Sequence, residues 1–305
     1  MIRQLTRKLF TLEQWSVGWA KVGIDQFLRD PGSADFKWIT PRSARELIAD
    51  PFGLEENGKL VIFAEQLIYG KSAGQILRLE TEGLHARQTL LRRPWHLSYP
   101  FVVEEAGRRF IVPEQSQSGT VAFYPYASGE VGEPSAILEG FDAVDSTFLF
   151  HEGRWWLFCT HAYSPNGALH LYFSDRLLGP YRPHPMNPIV TDPSRARPGG
   201  RIIRSPDGLL RPAQDCSQSY GMALVLCKIE ALTLNEYKER PITRIEPGQL
   251  RGGFAEGLHT LDHTEHYVVL DTKRFAPSLS AAALKAARFV KRFRSPRRTG
   301  SSARI

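Results

Sequence analysis

The sequence predicts an all-β protein, a five-bladed β-propeller with a C-terminal basic amphipathic helix. Three observations carry that expectation. A hairpin pattern recurs with its turn at a fixed place, β-branched and aromatic residues crowd both arms of each hairpin, and a run of unopposed positive charge follows the last repeat. A chain of 305 residues, 42% hydrophobic and 23% charged, has the balance of a folded globular protein, which excludes disorder throughout.

Residues 1–14 form an N-terminal basic segment, with Arg3, Arg7 and Lys8 set between Ile2, Leu5, Leu9 and Phe10 as in a weak amphipathic helix. The stretch from Trp15 to Trp38 is assigned the strand that closes the ring, and the propeller occupies 15–272. Four units then share one pattern: Asp50–Glu65 around Gly58, Tyr99–Glu114 around Gly107, Asp145–Thr160 around Gly153, and Gly200–Asp215 around Gly208. In each, the glycine follows the first residue by eight positions and precedes the last by seven. A fifth unit, Glu256–Asp271, keeps the spacing with Thr264 at the turn. Asn57-Gly58 and Asp207-Gly208 suit tight turns that need positive φ, so each unit reads as a β-hairpin. Gln75–Leu79, Val121–Tyr126, Leu169–Ser174 and 221–227 supply third strands. Small antiparallel sheets recurring at this spacing are the mark of propeller blades.

Innermost strands line the axis of a propeller, so equivalent repeat positions meet there. The first position contributes Asp50, Tyr99, Asp145, Gly200 and Glu256; the last contributes Glu65, Glu114, Thr160, Asp215 and Asp271. Carboxylates dominate the set. Facing one pocket, they raise one another's proton affinity and provide the acid and base that glycosidic chemistry needs. His96 and His259 fall where the second and fifth blades meet the axis and suit sugar hydroxyls. Adjacent Trp155 and Trp156 point to opposite strand faces, so at least one belongs to the core between blades. Cys159, Cys216 and Cys227 are an odd count without metal-ligand spacing and read as free thiols. No phosphate loop, zinc helix or nucleophile elbow occurs, and neither a metal nor a cofactor is predicted.

The strings Ala49-Asp-Pro-Phe52, His96-Leu-Ser-Tyr-Pro-Phe101, Pro113-Glu-Gln-Ser116, His184-Pro-Met-Asn-Pro188, Arg197-Pro-Gly-Gly200, Arg211-Pro-Ala-Gln-Asp-Cys-Ser217 and Gly257-Leu-His-Thr-Leu261 resemble the N-terminal domain of plant glucosamine inositolphosphorylceramide transferases and related bacterial proteins. The resemblance covers roughly 15–272 and implies a propeller akin to glycoside hydrolase family 43. In that family three carboxylates act as base, pKa-tuning acid and general acid. Asp50 and Asp145 match the first two by repeat position. Arg197-Pro-Gly-Gly200 stands where the general acid is expected, so Glu256, Glu65, Glu114 or Asp215 would have to supply a relocated one. A missing acid beside Arg197, Arg201, Arg204 and Arg211 points to a substrate that carries its own good leaving group, and phosphate fits that description.

The candidate catalytic set is therefore Asp50, Asp145 and Glu256. The substrate-binding set is Glu65, His96, Tyr99, Glu114, Arg197, Arg211, Gln214, Asp215 and His259, with Arg211, Gln214 and Asp215 expected on pocket-facing surface. The reading is a glycosyltransferase using a phosphate-activated sugar donor and a saccharide or glycolipid acceptor. A family 43-like hydrolase or phosphorylase and a non-catalytic carbohydrate-binding propeller are the alternatives.

Residues 273–305 contain ten Lys and Arg and no acid, more than the whole chain's net +7, so the body before them is mildly acidic. The stretch 277–298 reads as a basic amphipathic helix of the interfacial kind. It is expected to meet an anionic membrane surface; nucleic acid is not expected, because the charge is not spread over the body. The N-terminus meets charge too early for a signal peptide, and no long apolar run occurs. The expected place is the cytoplasm, peripheral on the inner membrane face.

Overall fold

A computed structural model describes residues 10–71, 73–82 and 86–284 and forms a five-bladed propeller. The first blade runs outward through Glu46–Glu56, Lys59–Ile68, Gln75–Glu80 and Arg87–Leu91. The second comprises Ser98–Glu105, Arg108–Glu114 and Thr120–Ala127, the last flanked by both Glu130–Val131 and Ser135–Glu139. The third is Ala143–His151, Arg154–His161, Ser164–Ser174 and Arg182–Pro183, and the fourth Ile203–Ser205, Gly208–Asp215, Ala223–Leu232 and Tyr237–Ile245.

The fifth blade joins the two ends of the chain. Its inner strands are Leu261–His263 and Val268–Pro277, and its outer strands are Thr11–Ala20 and Lys37–Ile39. Thr11–Ala20 pairs with Val268–Pro277 along its whole length, from Thr11 opposite Pro277 to Ala20 opposite Val268. The closing strand expected near Trp15 is thus real but begins earlier, and residues 11 and 12, the end of the expected N-terminal helix, are strand. At the other end the last strand reaches Pro277, and residues 281–284 make one helical turn with Ala281 buried. The rest of the helix foreseen over 277–298, like residues 1–9, lies outside the described residues.

A local distortion gives the repeat its meaning. Asp50, Tyr99 and Asp145 have φ of 52°, 43° and 53°, and Gly200 has 128°. Strand pairing shifts register at the same places, between Ala49 and Phe52, Ser98 and Phe101, and Val144 and Thr147. Each is a bulge on an innermost strand, and a bulge re-aims the side chain it carries. Positive φ costs a non-glycine residue on the order of 1–3 kcal/mol, a strain that surrounding structure must hold. Glycine is required in the fourth blade for a second reason: a Cβ on Gly200 would lie 1.8 Å from the Leu261 carbonyl oxygen.

The apolar cores lie between blades. Phe52 of the first blade meets Phe101 of the second at 5.2 Å, Phe123 meets Phe148 of the third at 5.0 Å, and Phe158 meets Tyr237 of the fourth at 5.9 Å. Each such ring contributes about 1.5–3 kcal/mol when fully buried, so blade-to-blade packing dominates stability. Trp155 joins the core on the second-blade side and Trp156 the core on the fourth-blade side, as their alternation requires.

Candidate functional site at the propeller axis

The bulges bring Asp50 and Asp145 to the axis. Asp50 Oδ1 accepts a hydrogen bond from the Thr260 hydroxyl at 3.0 Å, and Oδ2 accepts one from the Tyr99 amide at 3.2 Å. Asp145 Oδ2 accepts from Arg197 Nε at 2.6 Å and from Gln214 Nε2 at 2.8 Å. Burial pushes the Asp50 carboxyl up to about 7. His259 pulls against that shift, while the carboxylates of Glu65, Asp145 and Asp271 add to it. Burial likewise raises Asp145, opposed by Arg197. Asp50 therefore exchanges a proton near neutrality, and Asp145 is bound into an ion pair.

Beneath Asp50 lies a closed network. Asp271 Oδ1 accepts from the amides of His259 and Thr260, both at 3.1 Å. Its Oδ2 accepts from the Asp50 amide at 2.9 Å and meets His259 Nδ1 at 2.7 Å. His259 Nε2 stands 3.6 Å from Asp50 Oδ1, and the ring stacks on Trp15 with centroids 3.8 Å apart. Burial works against a charged His259, but Asp271 and Asp50 outweigh it and hold the imidazole above its ordinary value. Ligand atoms of Asp50, His259 and Asp271 fall within 4.8 Å of one another, a spacing a cation would accept. All four lone-pair directions of Asp271 are nonetheless taken by N–H donors, so the trio fits a proton-sharing network better than a metal cage.

Of the predicted binding residues, Arg197 and His96 keep partly exposed side chains at this axis, 14% and 24%, while Glu65 beside His96 is buried. His96 Nε2 lies 3.2 Å from Glu65 Oε1, and its Nδ1 accepts from the Gly74 amide at 3.0 Å. Arg197 Nη1 donates to Asn166 Oδ1 at 3.1 Å, and the guanidinium lies over Tyr220 at 5.0 Å. Glu114 takes hydrogen bonds from the Ser98 hydroxyl at 2.7 Å and the Ser116 amide at 2.8 Å.

Other expectations need correction. Tyr99 is fully buried, its hydroxyl taking the Gly200 amide at 2.7 Å and pairing with Thr147 at 2.8 Å, so it braces the axis instead of facing a ligand. His259 and Gln214 are also buried, bonded to Asp271 and Asp145 respectively. Arg211 does not face the pocket: it is wholly buried and holds Glu239 by two bonds of 2.8 and 2.7 Å. Its polar string turned inward because Glu239, in the fourth strand of the same blade, supplies the partner that sequence spacing hides. Asp215 is bound by Ser217 and Arg244. Glu256 is displaced from the axis, its amide bonded to the Lys273 carbonyl and its carboxylate to the Phe275 amide. The fifth blade's inner strand has a longer turn and no bulge, so equal spacing there selected the wrong residue. Thr260 takes the place at Asp50 that spacing gave to Glu256.

Comparison with known proteins bears on this axis. Residues 40–256, which contain Asp50, Asp145 and Arg197, match the family model described as "Glucosamine inositolphosphorylceramide transferase 1, N-terminal". This chain belongs to that family. Family members include the glucosamine inositolphosphorylceramide transferase 1 of Oryza sativa subsp. japonica, 34% identical over 206 residues that make 64% of this chain and 28% of the relative. The protein of the same name in Arabidopsis thaliana is 33% identical over 156 residues, 49% of this chain and 20% of the relative. The chain thus spans about a quarter of the length of these relatives. In fold the family domain is similar to the GH62 α-L-arabinofuranosidase catalytic domain of Coprinopsis cinerea, with a TM-score of 0.58, 13% identity, and 87% and 98% of the two chains covered. A thermostable family-43 glycoside hydrolase gives a TM-score of 0.53 at 14% identity, covering 69% and 83%.

Proposed function

We propose that the propeller transfers a sugar from a phosphate-activated donor to a saccharide or glycolipid acceptor at the cytoplasmic membrane face, where the basic segments hold it. The observation that carries this reading is an axis that holds both the Asp50 carboxyl, pushed up to about 7, and the partly exposed Arg197 guanidinium on Asp145; the resemblance to family 43 leads one to expect a proton-donating carboxylate at the position of Arg197. In the proposed step, Asp50 accepts the proton of the acceptor hydroxyl as that oxygen bonds to the anomeric carbon. The bond from that carbon to the donor phosphate oxygen breaks, and the phosphate leaves as an anion that needs no protonation. Arg197 has Nε on Asp145 and Nη1 on Asn166, which leaves Nη2 for that anion. Asp145 fixes the guanidinium plane. The names of the curated relatives support transferase chemistry on a phosphorylated sphingolipid acceptor.

The test is a donor screen by calorimetry, comparing nucleotide-diphosphate sugars with free oligosaccharides. Binding of a nucleotide sugar supports transfer. A second reading, hydrolysis, draws on Glu65, which touches His96 close to Asp50; binding of oligosaccharides alone favours it or a non-catalytic lectin-like role.

A further inference from the structure

We infer that the face of the propeller on which the axial site opens is the face that lies against an anionic lipid bilayer. The inference deepens the transfer reading by fixing how the site would meet a lipid-borne acceptor. It rests on described residues at the mouth of the axis, where inner strands begin and second strands end.

Both chain ends leave from that face. Thr11 pairs with Pro277 above the level of Asp271, and the Ser278 amide donates to the Phe10 carbonyl. Arg45 then donates to the Ser280 hydroxyl at 3.0 Å, which seats the outgoing chain on the first blade. The segments continuing from this point, residues 1–9 and 285–305, carry eleven Lys and Arg and no acid. The described chain therefore leads into both charged segments from the side of the mouth.

Apolar side chains stand on the same face. Among described large hydrophobics the three most exposed are Leu279 at 99%, Tyr163 at 92% and Phe10 at 53%. Phe10 and Leu279 adjoin the join of the fifth and first blades. Tyr163 lies across the mouth, in the turn between Arg154–His161 and Ser164–Ser174 of the third blade, stacked on His161 at 4.8 Å. Exposed aromatic and aliphatic tips ringed by cations are what an interfacial surface presents to a bilayer.

The charges agree. Arg42, Arg45, Lys71 and Arg274 are exposed near the chain ends on this face, and Arg42 and Arg274 line a groove of about 590 Å³ with Gln14, Ser43 and Pro277. Arg274 spends Nε on Gln14 and lies over Phe254 at 4.3 Å. Its Nη atoms have no partner among the described residues, which suits a lipid phosphate. The opposite face shows Glu82, Glu104, Glu133, Glu152, Asp207 and Glu265 at its turns, all exposed. That face also carries the exposed cations Lys21, Lys59, Arg108 and Arg204, but Lys59 is paired with Glu82 and Arg108 with Glu105, so an anionic surface is attracted more strongly to the first face.

The experiment labels the full chain at one position at a time with an environment-sensitive nitrobenzoxadiazole dye, using Tyr163→Cys, Leu279→Cys and Glu152→Cys against the unsubstituted chain treated identically. All three positions are exposed, so the substitutions leave the fold intact. With phosphatidylglycerol vesicles at low salt, the labels at 163 and 279 should brighten and shift to the blue while the label at 152 stays unchanged. High salt should reverse the change, and pure phosphatidylcholine vesicles should give none. Vesicle flotation without a response at 163, or a response at 152, would overturn the assignment of the face; failure to float with anionic vesicles would overturn membrane docking itself. No sugar donor enters these readouts, so the transfer reading stands or falls separately.

Discussion

Asp50 is the residue on which the chemistry turns. Its positive φ is a conformation Asn also tolerates, so Asp50→Asn should fold normally. Loss of a general base costs about 10²- to 10⁴-fold, and the proposed transfer should fall by that amount in the variant. Transfer by the wild type should rise with pH through about 7, as Asp50 ionises, and then level off. Stability runs the other way. A carboxyl whose folded value stands above its ordinary 3.8 contributes stability that is full below that value and lost as pH rises through about 7. The Tm gain of Asp50→Asn over wild type should therefore be larger at pH 8 than at pH 4; an equal difference at both would remove the buried carboxyl from the account. Arg211 gives the complementary test. Arg211→Ala strands the buried Glu239 charge and should cost about 3–5 kcal/mol in urea unfolding, while ligand affinity of the folded fraction stays unchanged. A loss of affinity with normal stability would return Arg211 to the binding surface.

At the scale of the element, four hairpins were legible because a glycine turn fixed their register and a residue of positive φ fell eight positions before it. The same arithmetic failed in the fifth blade, where Thr264–Tyr267 makes a longer turn and no bulge interrupts Leu261–His263. Sequence spacing reads strand length correctly only while the turn stays constant. The partners of the site were legible in part. His259 and Asp271 lay on the repeat, but Trp15 belongs to an N-terminal strand and Asn166 to the start of Ser164–Ser174, which no repeat position marks. Gly200 carries the sharpest test at this scale. Gly200→Ala would drive a methyl into the Leu261 carbonyl while holding φ at 128°, and should destabilise by at least about 2–3 kcal/mol or abolish soluble expression. Normal Tm in that variant would contradict the close approach of the fourth and fifth blades.

For the whole molecule, stability and location separate along the chain. A truncation before residue 277 removes the end of Val268–Pro277, where it pairs with the closing strand, together with the turn at Ser278 and the buried Ala281, so it should lower the Tm. Truncation after Leu284 should leave the Tm unchanged and weaken vesicle binding alone; a large fall in Tm would mean that the charged segment helps hold the ring. The charge asymmetry behind this division was plain in the sequence. The face from which it emerges was not, because that depends on which end of the last strand lies nearer the axial mouth. Isothermal calorimetry of the full chain against a panel of nucleotide-diphosphate sugars and matching free oligosaccharides tests whether the axis holds a phosphate-activated sugar. At least one nucleotide sugar should bind and the same sugar without its phosphate should not; binding confined to the free oligosaccharides would contradict phosphate-activated transfer at this axis.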